Sequence, residues 1–403
     1  MAPVIPSERR SSGPFRFAAV AAVLAVGTAG CSIDLSDWRP GGGGGAEAEE
    51  SSDPVDAAPL LEEALDSLAA APAILAQGQI GNSDGGEVKE ASFTVTDSGA
   101  TTGSVQEGES EAQVRMGDSK MFVQAPDEYW LNQGVFNPDS DQYGENWVRV
   151  DGTQMGVNPA AVLAPERLSE ALRELAPAGG EATPENLDGT AAYRIDLAGT
   201  DNRVWVTEEE PHRLLRIEIE ELVPKDAESG PRTRLNISEP ETADVEQAYD
   251  DLIAWAEDDL GGARDARLEV AWDGQLDMQC ETGGQCTVEG TVRDDSVDEG
   301  SGTVQVRMDA SFENDELGEQ ECDDTAKLEA GGTVTLSCSV DYELAPSSTP
   351  QEYEIGGEGL LSTRGITGNA RDELVETLQT ERQTTLGEDE SAEESPDEEG
   401  DSE

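Results

Sequence analysis

The sequence is poor in positive charge and has almost no histidine. Its 403 residues include 25 Lys and Arg, one His and 88 Asp and Glu, which gives a formal net charge of −63. So acidic a chain is repelled by nucleic-acid phosphates and by anionic lipid headgroups. The composition therefore argues against nucleic-acid binding and against direct docking of the folded part on an anionic membrane.

Catalytic signatures are missing as well. The chain has no P-loop, dinucleotide-binding, G-x-S-x-G or H-E-x-x-H motif, and so lacks the arrangements by which these motifs hold phosphates, a nucleophile or zinc. Its single histidine, His212, follows Pro211 at the start of a strand pattern, where we expect a polar surface residue rather than a catalytic base. The sequence predicts a protein that is not an enzyme.

Metal-binding patterns are weak. Asp139, Asp141 and Gly144 resemble the start of an EF-hand calcium loop, but its twelfth position is Val150 instead of the usual Glu. No C-x-x-C pair accompanies the lone histidine, which disfavours zinc. We expect neither a metal nor a cofactor.

The N-terminal apolar run is short. The uncharged stretch from Phe17 to Gly30 cannot cross a bilayer, which needs about 20 apolar residues. It follows a basic stretch and precedes Cys31, as in the h-region of a cleaved export signal. Small residues before the cysteine resemble a lipobox, although Thr28 stands where Leu is usual. We predict a signal peptide over 1–30, a lipid on Cys31 and a place on the extracytoplasmic face of the cell membrane; ordinary secretion is the alternative.

Four further cysteines, Cys280, Cys286, Cys322 and Cys338, make an even number. In an exported chain such a set predicts two disulfides. Three pairings are open, and the spacing favours Cys280–Cys286 across a hairpin loop together with Cys322–Cys338. Period-2 counting places all but Cys322 on core faces, which favours buried structural bonds over reactive thiols.

Composition and periodicity divide the rest of the chain into five segments. Residues 31–58 are rich in Gly, Ser and acid, with five consecutive glycines, and predict a lipidated, disordered tether. The other segments are a first domain over 59–260 that ends in a connector helix, a disulfide-bonded β domain over 264–358, a C-terminal helix over 367–384 and a disordered acidic tail over 385–403.

Apolar periodicity indicates the fold class. Helical spacing predicts helices over 59–70, 164–175 and 241–260. Alternating runs such as Tyr193 to Leu197 and Leu215 to Ile219 predict half-buried strands. We therefore expect an α+β fold, with one curved antiparallel sheet and covering helices, followed by a small all-β, sandwich-like domain.

Aromatic residues cluster in the first domain: Trp130, Phe136, Tyr143, Trp147 and Trp205. Core packing is the default interpretation of this cluster. A platform for a sugar or a lipid is the alternative.

Part of the chain resembles a known family. The resemblance covers about residues 59–239 and is carried by four stretches: MFVQAPDEYW (121–130), ENWVRVD (145–151), APERLSEALREL (164–175) and VWVTEEEPHRLLRIEI (204–219). Together with the order of helices and strands, they resemble actinobacterial lipoproteins of the LppX/LprG type, which are similar to the periplasmic carrier LolA.

The resemblance implies a half-barrel sheet that encloses an apolar cavity for a lipid or lipoglycan. It transfers no site residues, so the ligand-binding residues stay unassigned. Two hypotheses follow: an anchored lipid carrier with a cavity, or a non-enzymatic cell-surface or cell-wall interaction module with a solid core. In the second, large side chains such as Met121, Trp147 and Trp205 would fill the interior.

Overall fold

The computed structural model describes residues 55–81, 88–225, 227–296, 302–345, 349 and 351–387. The predicted signal peptide, the lipid site at Cys31, most of the tether and the tail from 388 onward lie outside the described residues. None of the described helices is long and apolar enough to cross a bilayer.

The described residues form twenty strands and seven α-helices. The strands are β1 (Val55–Asp56), β2 (Ala73–Gly81), β3 (Val88–Thr96), β4 (Thr101–Glu107), β5 (Ser110–Gly117), β6 (Lys120–Gln124), β7 (Val148–Val150), β8 (Glu181–Leu187), β9 (Thr190–Asp196), β10 (Arg203–Thr207), β11 (Leu214–Ile219), β12 (Arg232–Ser238), β13 (Arg264–Asp265), β14 (Val270–Trp272), β15 (Asp277–Cys280), β16 (Gln285–Asp294), β17 (Thr303–Asn314), β18 (Gly318–Glu329), β19 (Thr333–Asp341) and β20 (Gly356–Arg364). The helices are α1 (Ala57–Ala69), α2 (Asp127–Gln133), α3 (Gly152–Met155), α4 (Pro159–Leu163), α5 (Pro165–Arg173), α6 (Thr242–Asp258) and α7 (Gly368–Leu386).

Thirteen strands form one large sheet. Across the sheet their order is β1, β8, β9, β10, β11, β12, β2, β3, β4, β5, β6, β7 and β13. Neighbours are antiparallel except β7 and β13, which are parallel. Buried and exposed residues alternate along strands such as β12, so the sheet has one apolar face. The α+β class with a curved antiparallel sheet is confirmed, and we call this sheet with its inner helices the half-barrel.

Helices α1, α4 and α5 cover the concave face of the half-barrel. Asp56 caps α1, because its side chain accepts a hydrogen bond from the Ala58 N–H. The apolar stripe of α1 is buried, and Ser169 of α5 donates to the Leu65 carbonyl at 2.9 Å. An amphipathic helix placed in this way buries its stripe against the sheet.

The helix predicted over 164–175 is confirmed as α5, and a second short helix, α4, precedes it. Ala164 is extended, with φ −55° and ψ 134°, and separates α4 from α5. Pro165 follows it, and a proline disfavours the α conformation in the residue that precedes it. Pro165 opens α5, where its missing N–H costs nothing.

Helices α6 and α7 cover the convex face. Beneath α6, the Arg115 guanidinium lies 5.2 Å from the ring centre of Trp147 and 5.8 Å from that of Trp255. Beneath α7 the sheet carries Gly117, where a Cβ would lie 2.9 Å from Leu374 Cδ1. The C-terminal helix therefore packs on the half-barrel and extends to Leu386, further than the predicted 384.

Between α6 and α7 the chain forms a small β domain with two disulfides. One sheet holds β14, β15, β16 and β19, the other holds β17, β18 and β20, and their apolar faces share one core. The bonds join Cys280 to Cys286 and Cys322 to Cys338, the pairing that the spacing favours. Strand β20 runs past the boundary expected at 358, and the domain boundaries stay predictions.

One cysteine does not lie where the parity count places it. Cys286 and Cys338 are buried, as expected, but Cys280 is exposed. The reason is that β15 is an edge strand whose four residues are all exposed. Parity assigns a face to a residue, but an edge strand can leave both faces open to solvent.

A buried polar network, here called the junction, joins the β domain to the half-barrel. Its centre is Asn137, whose Nδ2 donates to the Tyr143 hydroxyl at 2.8 Å and to the carbonyls of Asp265 and Leu268 at 3.3 and 3.1 Å. The Asn137 Oδ1 accepts a hydrogen bond from Val270 N at 2.8 Å. One amide thus uses both its donor and its acceptor across the interface.

Charged residues complete the junction. Asp139 Oδ2 accepts hydrogen bonds from the N–H and the hydroxyl of Thr363 at 2.7 and 2.9 Å, and Arg264 Nε lies 3.9 Å from the same oxygen. Burial raises the pKa of the Asp139 carboxyl. Arg267 donates two bonds to Asp265, at 3.0 and 2.7 Å. The first acid of the EF-hand-like stretch therefore binds Thr363, and no group of three or more metal-capable side chains occurs in the described part of the chain.

Candidate functional site

One end of the concave face has features that packing alone does not require. Strand pairing sets Ile219 opposite Thr233, Thr233 opposite Ile80, and Ile80 opposite Lys89. An ion pair of 2.9 Å then joins Lys89 Nζ to Glu107 Oε2 of the next strand. We call these five residues the mouth row, because a cavity opens beside them.

The mouth cavity has a volume of about 330 Å³, which is within the range of ligand pockets. Its floor is apolar and belongs to the interior core of the half-barrel: Ile80, Ala91, Val105, Met155 and Val157. Strands β2, β3 and β4 supply three of these residues, and the segment from α3 onward supplies the other two. An acyl chain that entered this cavity would contact the residues of the interior core.

The cover of the mouth cavity is polar. Glu107 Oε2 accepts a hydrogen bond from Gln133 Nε2 at 2.9 Å as well as the ion pair from Lys89. The Lys89 and Glu107 side chains keep only 16% and 17% of their exposure. Close by, burial and the Glu107 carboxylate raise the pKa of Tyr129, whose hydroxyl donates to Met155 Sδ at 3.2 Å. The arrangement suits an amphiphile, whose acyl chain would contact the apolar floor and whose polar headgroup would contact the cover.

Thr233 contributes a hydroxyl with unused bonding capacity. The residue is 3% exposed, and its Oγ1 has no hydrogen-bond partner among the described residues. Leaving a buried hydroxyl unpaired costs free energy. Because Thr233 stands next to Ile80 in the mouth row, this oxygen is available to a ligand that reaches the row.

A second cavity, of about 480 Å³, lies at the same sheet end. It shares Ile80 and Gly81 with the mouth cavity and is also lined by Ile219 and Thr233 of the mouth row. Its charged rim pairs Arg203 and Arg234 with Glu218, at 3.6 and 2.9 Å. Basic residues are scarce in this chain, so their concentration here is unusual. The rim provides a polar surface next to the mouth row.

A third cavity, the α5 groove, is larger but differs in character. It measures about 580 Å³ and runs between α5 and residues 221–225. Lys225 Nζ lies 3.2 Å from Glu170 Oε1 at its edge. None of its lining residues has a buried, unpartnered polar atom, whereas Thr233 lines the second cavity, which shares Ile80 and Gly81 with the mouth cavity. The mouth row is therefore the stronger candidate.

The structure disperses the aromatic residues that the sequence groups. Trp130 and Tyr143 pack edge to face in the interior, with ring centres 5.5 Å apart. Trp147 packs on the convex side, and Phe136 is 68% exposed. Trp205 donates to Glu185 Oε2 at 3.0 Å, outside the interior cluster. They form no common platform.

The solid-core hypothesis named three large interior side chains. All three are buried, but only Met121 belongs to the interior cluster of the half-barrel. Trp147 and Trp205 lie elsewhere, as described above.

His212 is buried rather than exposed, which corrects the sequence expectation. It is 7% exposed, and its Nδ1 lies 2.8 Å from the Thr207 carbonyl across the β10–β11 turn. The same turn shifts the strand register, so that Leu214 is buried while Leu215 is only half-buried. The shift leaves Leu215 as the extra residue of a β-bulge and so changes the parity of Leu214, whereas Ile217 and Ile219 are buried as predicted.

The sequence predicted a strand that ends at Ile219 but gave none of the mouth residues a role in a site. Period-2 counting places Lys89 on the same strand face as the buried Ala91 and Phe93, and a charge on a core face is a signal that could have found it. Thr233 shares its face with Leu235 and Ile237 in the same way. The sequence cannot show that the Thr233 hydroxyl lacks a partner.

The chain has a distant likeness to a solved structure. No protein-family model matches the chain, and no curated protein matches it. Among solved structures, LprF from Mycobacterium bovis is similar, with 12% identity and a TM-score of 0.28 over 45% of this chain and 90% of LprF. A likeness at this TM-score decides neither fold nor function, and the resemblance to LppX/LprG-type lipoproteins stays a prediction.

Proposed function

We propose that the protein is a non-catalytic, lipid-anchored lipoprotein that binds one lipid or lipoglycan through the mouth of its half-barrel. The observation that supports this most strongly is the mouth row, where a buried unpartnered Thr233 hydroxyl lines the cavity of about 480 Å³ that shares Ile80 and Gly81 with the mouth cavity. The acyl chain would contact the cavity floor. The headgroup would lie at the polar cover.

Burial of apolar surface would provide most of the affinity. Each Å² removed from water is worth about 25 cal/mol, and the floor residues are already part of a continuous core. Polar groups then fix the orientation of the ligand. Thr233 can donate or accept one hydrogen bond, and Lys89 and Gln133 supply further donors.

The proposal is tested by native mass spectrometry of the full chain with Cys31→Ser, which cannot receive the predicted anchor. The protein is mixed with a long-chain amphiphile below its critical micelle concentration. We expect a complex of one amphiphile per chain. A mass that stays that of the free protein at every amphiphile concentration contradicts the proposal.

A pair of alanine variants locates the ligand. Ala91→Leu places bulk into the mouth cavity and should abolish the complex. Ala326→Leu adds the same bulk at a half-buried strand position of the β domain and should leave the complex intact. Circular dichroism verifies that both variants are folded, and equal loss of binding in both would contradict a site at the mouth.

The solid-core interaction module is the competing function. It predicts a free protein mass with every amphiphile, and unaltered behaviour of Ala91→Leu. The same two measurements therefore separate the hypotheses.

A further inference from the structure

The mouth lies next to an exposed apolar edge. In the described residues, six large apolar side chains are exposed: Val88, Leu131, Phe136, Val223, Met278 and Leu360. Leu131 is 64% exposed and Phe136 is 68% exposed. An exposed phenylalanine that packs on nothing costs solubility, so a pair of such residues beside a cavity calls for a partner.

Contacts on α2 place this pair close to the mouth cavity. Gln133, in the last turn of α2, lines the cavity and donates to Glu107. The next residue, Gly134, caps the helix and donates to the Leu131 carbonyl at 3.2 Å. A Cβ on Gly134 would lie 4.0 Å from the Phe136 ring. Leu131 and Phe136 therefore flank the helix end that forms the cavity wall.

A third exposed residue lies at the same end of the sheet. Val88 begins β3, is 59% exposed and lines the second cavity. It directly precedes Lys89 of the mouth row. The exposed apolar residues therefore lie next to the wall of the mouth cavity and in the lining of the second cavity.

We infer that this edge, formed by Val88, Leu131 and Phe136, rests on a neutral or zwitterionic lipid surface, with the mouth facing the lipid. The inference rests on the proposed function, because it supplies the route by which an acyl chain passes from a bilayer into the cavity. Apolar and aromatic side chains insert into the boundary between headgroups and acyl chains.

Charge and tether length select this partner. The net charge of −63 opposes an anionic surface, and Asp127 and Glu128 begin the same helix that ends beside Leu131. If Cys31 carries the predicted anchor, the chain between it and Val55 can span at most about 80 Å. That reach allows the mouth to turn toward the membrane that holds the anchor.

Flotation with phosphatidylcholine vesicles tests the inference, using the full chain with Cys31→Ser. We expect the protein to float with these vesicles, and at least fivefold less protein to float when the double variant Leu131→Ser, Phe136→Ser is used. Leu360→Ser is the matched control, because Leu360 is 63% exposed but lies on the β domain. It should float like the parent. Vesicles containing phosphatidylglycerol should retain less protein than phosphatidylcholine alone.

Uptake of a monomeric fluorescent amphiphile, measured without vesicles, separates this inference from the proposed function. The double variant should keep the uptake of the parent, since its cavity is intact. A parent that takes up amphiphile but does not float, or a Leu360→Ser variant that loses as much flotation as the double variant, overturns the docking edge. A parent that floats through Leu131 and Phe136 but takes up no amphiphile keeps the docking edge and overturns the carrier function.

Discussion

The mouth and the junction are both polar clusters set into apolar surroundings, yet they use their polar groups differently. In the junction, Asn137 alone makes four hydrogen bonds, and Arg267 holds Asp265 with two more. Two buried junction atoms, Asp139 Oδ1 and Arg264 Nε, have no hydrogen-bond partner among the described residues, but neither residue lines one of the three cavities described above. In the mouth, the Thr233 hydroxyl makes no hydrogen bond and lines the cavity of about 480 Å³ beside the mouth cavity. Polar groups that bind one another stabilise a fold, whereas unused capacity beside free space is what a ligand can exploit.

The largest effect is expected at the junction. Arg267→Met leaves the Asp265 carboxylate, which is fully buried, without its bidentate partner. Removing one member of a buried pair costs about 3 kcal/mol or more, to be measured by urea unfolding. Arg307→Met is the control, because Arg307 also binds an aspartate two residues away with two nitrogens.

Asp309, the partner of Arg307, is exposed. An exposed pair is worth about 1 kcal/mol or less. If Arg267→Met and Arg307→Met lower the free energy of unfolding equally, the junction pair is worth no more than an exposed pair. The junction would then not differ from the mouth in the way described above.

The pH dependence of stability should also follow the junction. Burial raises the pKa of Asp139 in the folded state, so the folded chain binds this proton more tightly than the unfolded chain does. The contribution of Asp139 is therefore present at low pH and is lost as the pH rises from its unfolded value of about 3.9 through the raised folded value.

Asp139→Asn removes this titration and should make the unfolding free energy less dependent on pH between acidic and neutral solution. Asp141→Asn, at an exposed position nearby, serves as the control. Urea titrations at several pH values measure how the unfolding free energy changes with pH. If Asp139→Asn leaves this pH dependence unchanged, the raised pKa of Asp139 is not its source.

At the mouth, a smaller effect of opposite character is expected. Thr233→Val removes an unpartnered hydroxyl without changing the shape of the side chain, so the free protein should keep or gain stability. Affinity for the amphiphile should fall about fivefold, as for the loss of one hydrogen bond of about 1 kcal/mol.

Thr101→Val is the matched variant on the same sheet. The Thr101 hydroxyl is buried and donates to the Gly99 carbonyl at 3.0 Å, so its loss should lower stability by about 1 kcal/mol and leave affinity unchanged. Thermal unfolding and fluorescence titration measure the two quantities. If Thr233→Val destabilises the protein as much as Thr101→Val does, the Thr233 hydroxyl already makes a stabilising hydrogen bond in the free protein and is not available to a ligand.

The smallest effect is expected for Lys89→Met. The ion pair with Glu107 is largely buried, with both side chains at less than a fifth of their full exposure. In the variant Gln133 still donates to Glu107, so we expect the loss to stay at about 1 kcal/mol. Stability should change little, while headgroup preference in the amphiphile titration should shift away from anionic headgroups. An unchanged preference would remove Lys89 from the site.

Periodicity predicted the fold class because the apolar stripes of α1 and α6 and the alternation along β9 and β12 follow directly from burial on one face. It failed where a local feature interrupts the period. The register shift between β10 and β11 moves the core residue from Leu215 to Leu214, and the edge position of β15 exposes Cys280.

The candidate site was beyond sequence reasoning for a different reason. Thr233 and Lys89 are far apart in the chain and meet only because β12 and β3 both pair with β2. The junction was missed on the same grounds, since Asp139 and Thr363 are separated by 224 residues. A pairing between distant strands leaves no periodic signal in either strand.

Photochemical labelling tests the central claim most directly. An amphiphile with a diazirine at the end of its acyl chain is bound to the full chain with Cys31→Ser, irradiated and mapped by peptide mass spectrometry. The account predicts labels on the floor of the mouth cavity, at Ile80, Ala91, Val105, Met155 or Val157. Labels confined to the α5 groove or to the β domain, or labels spread evenly over the surface, would contradict it.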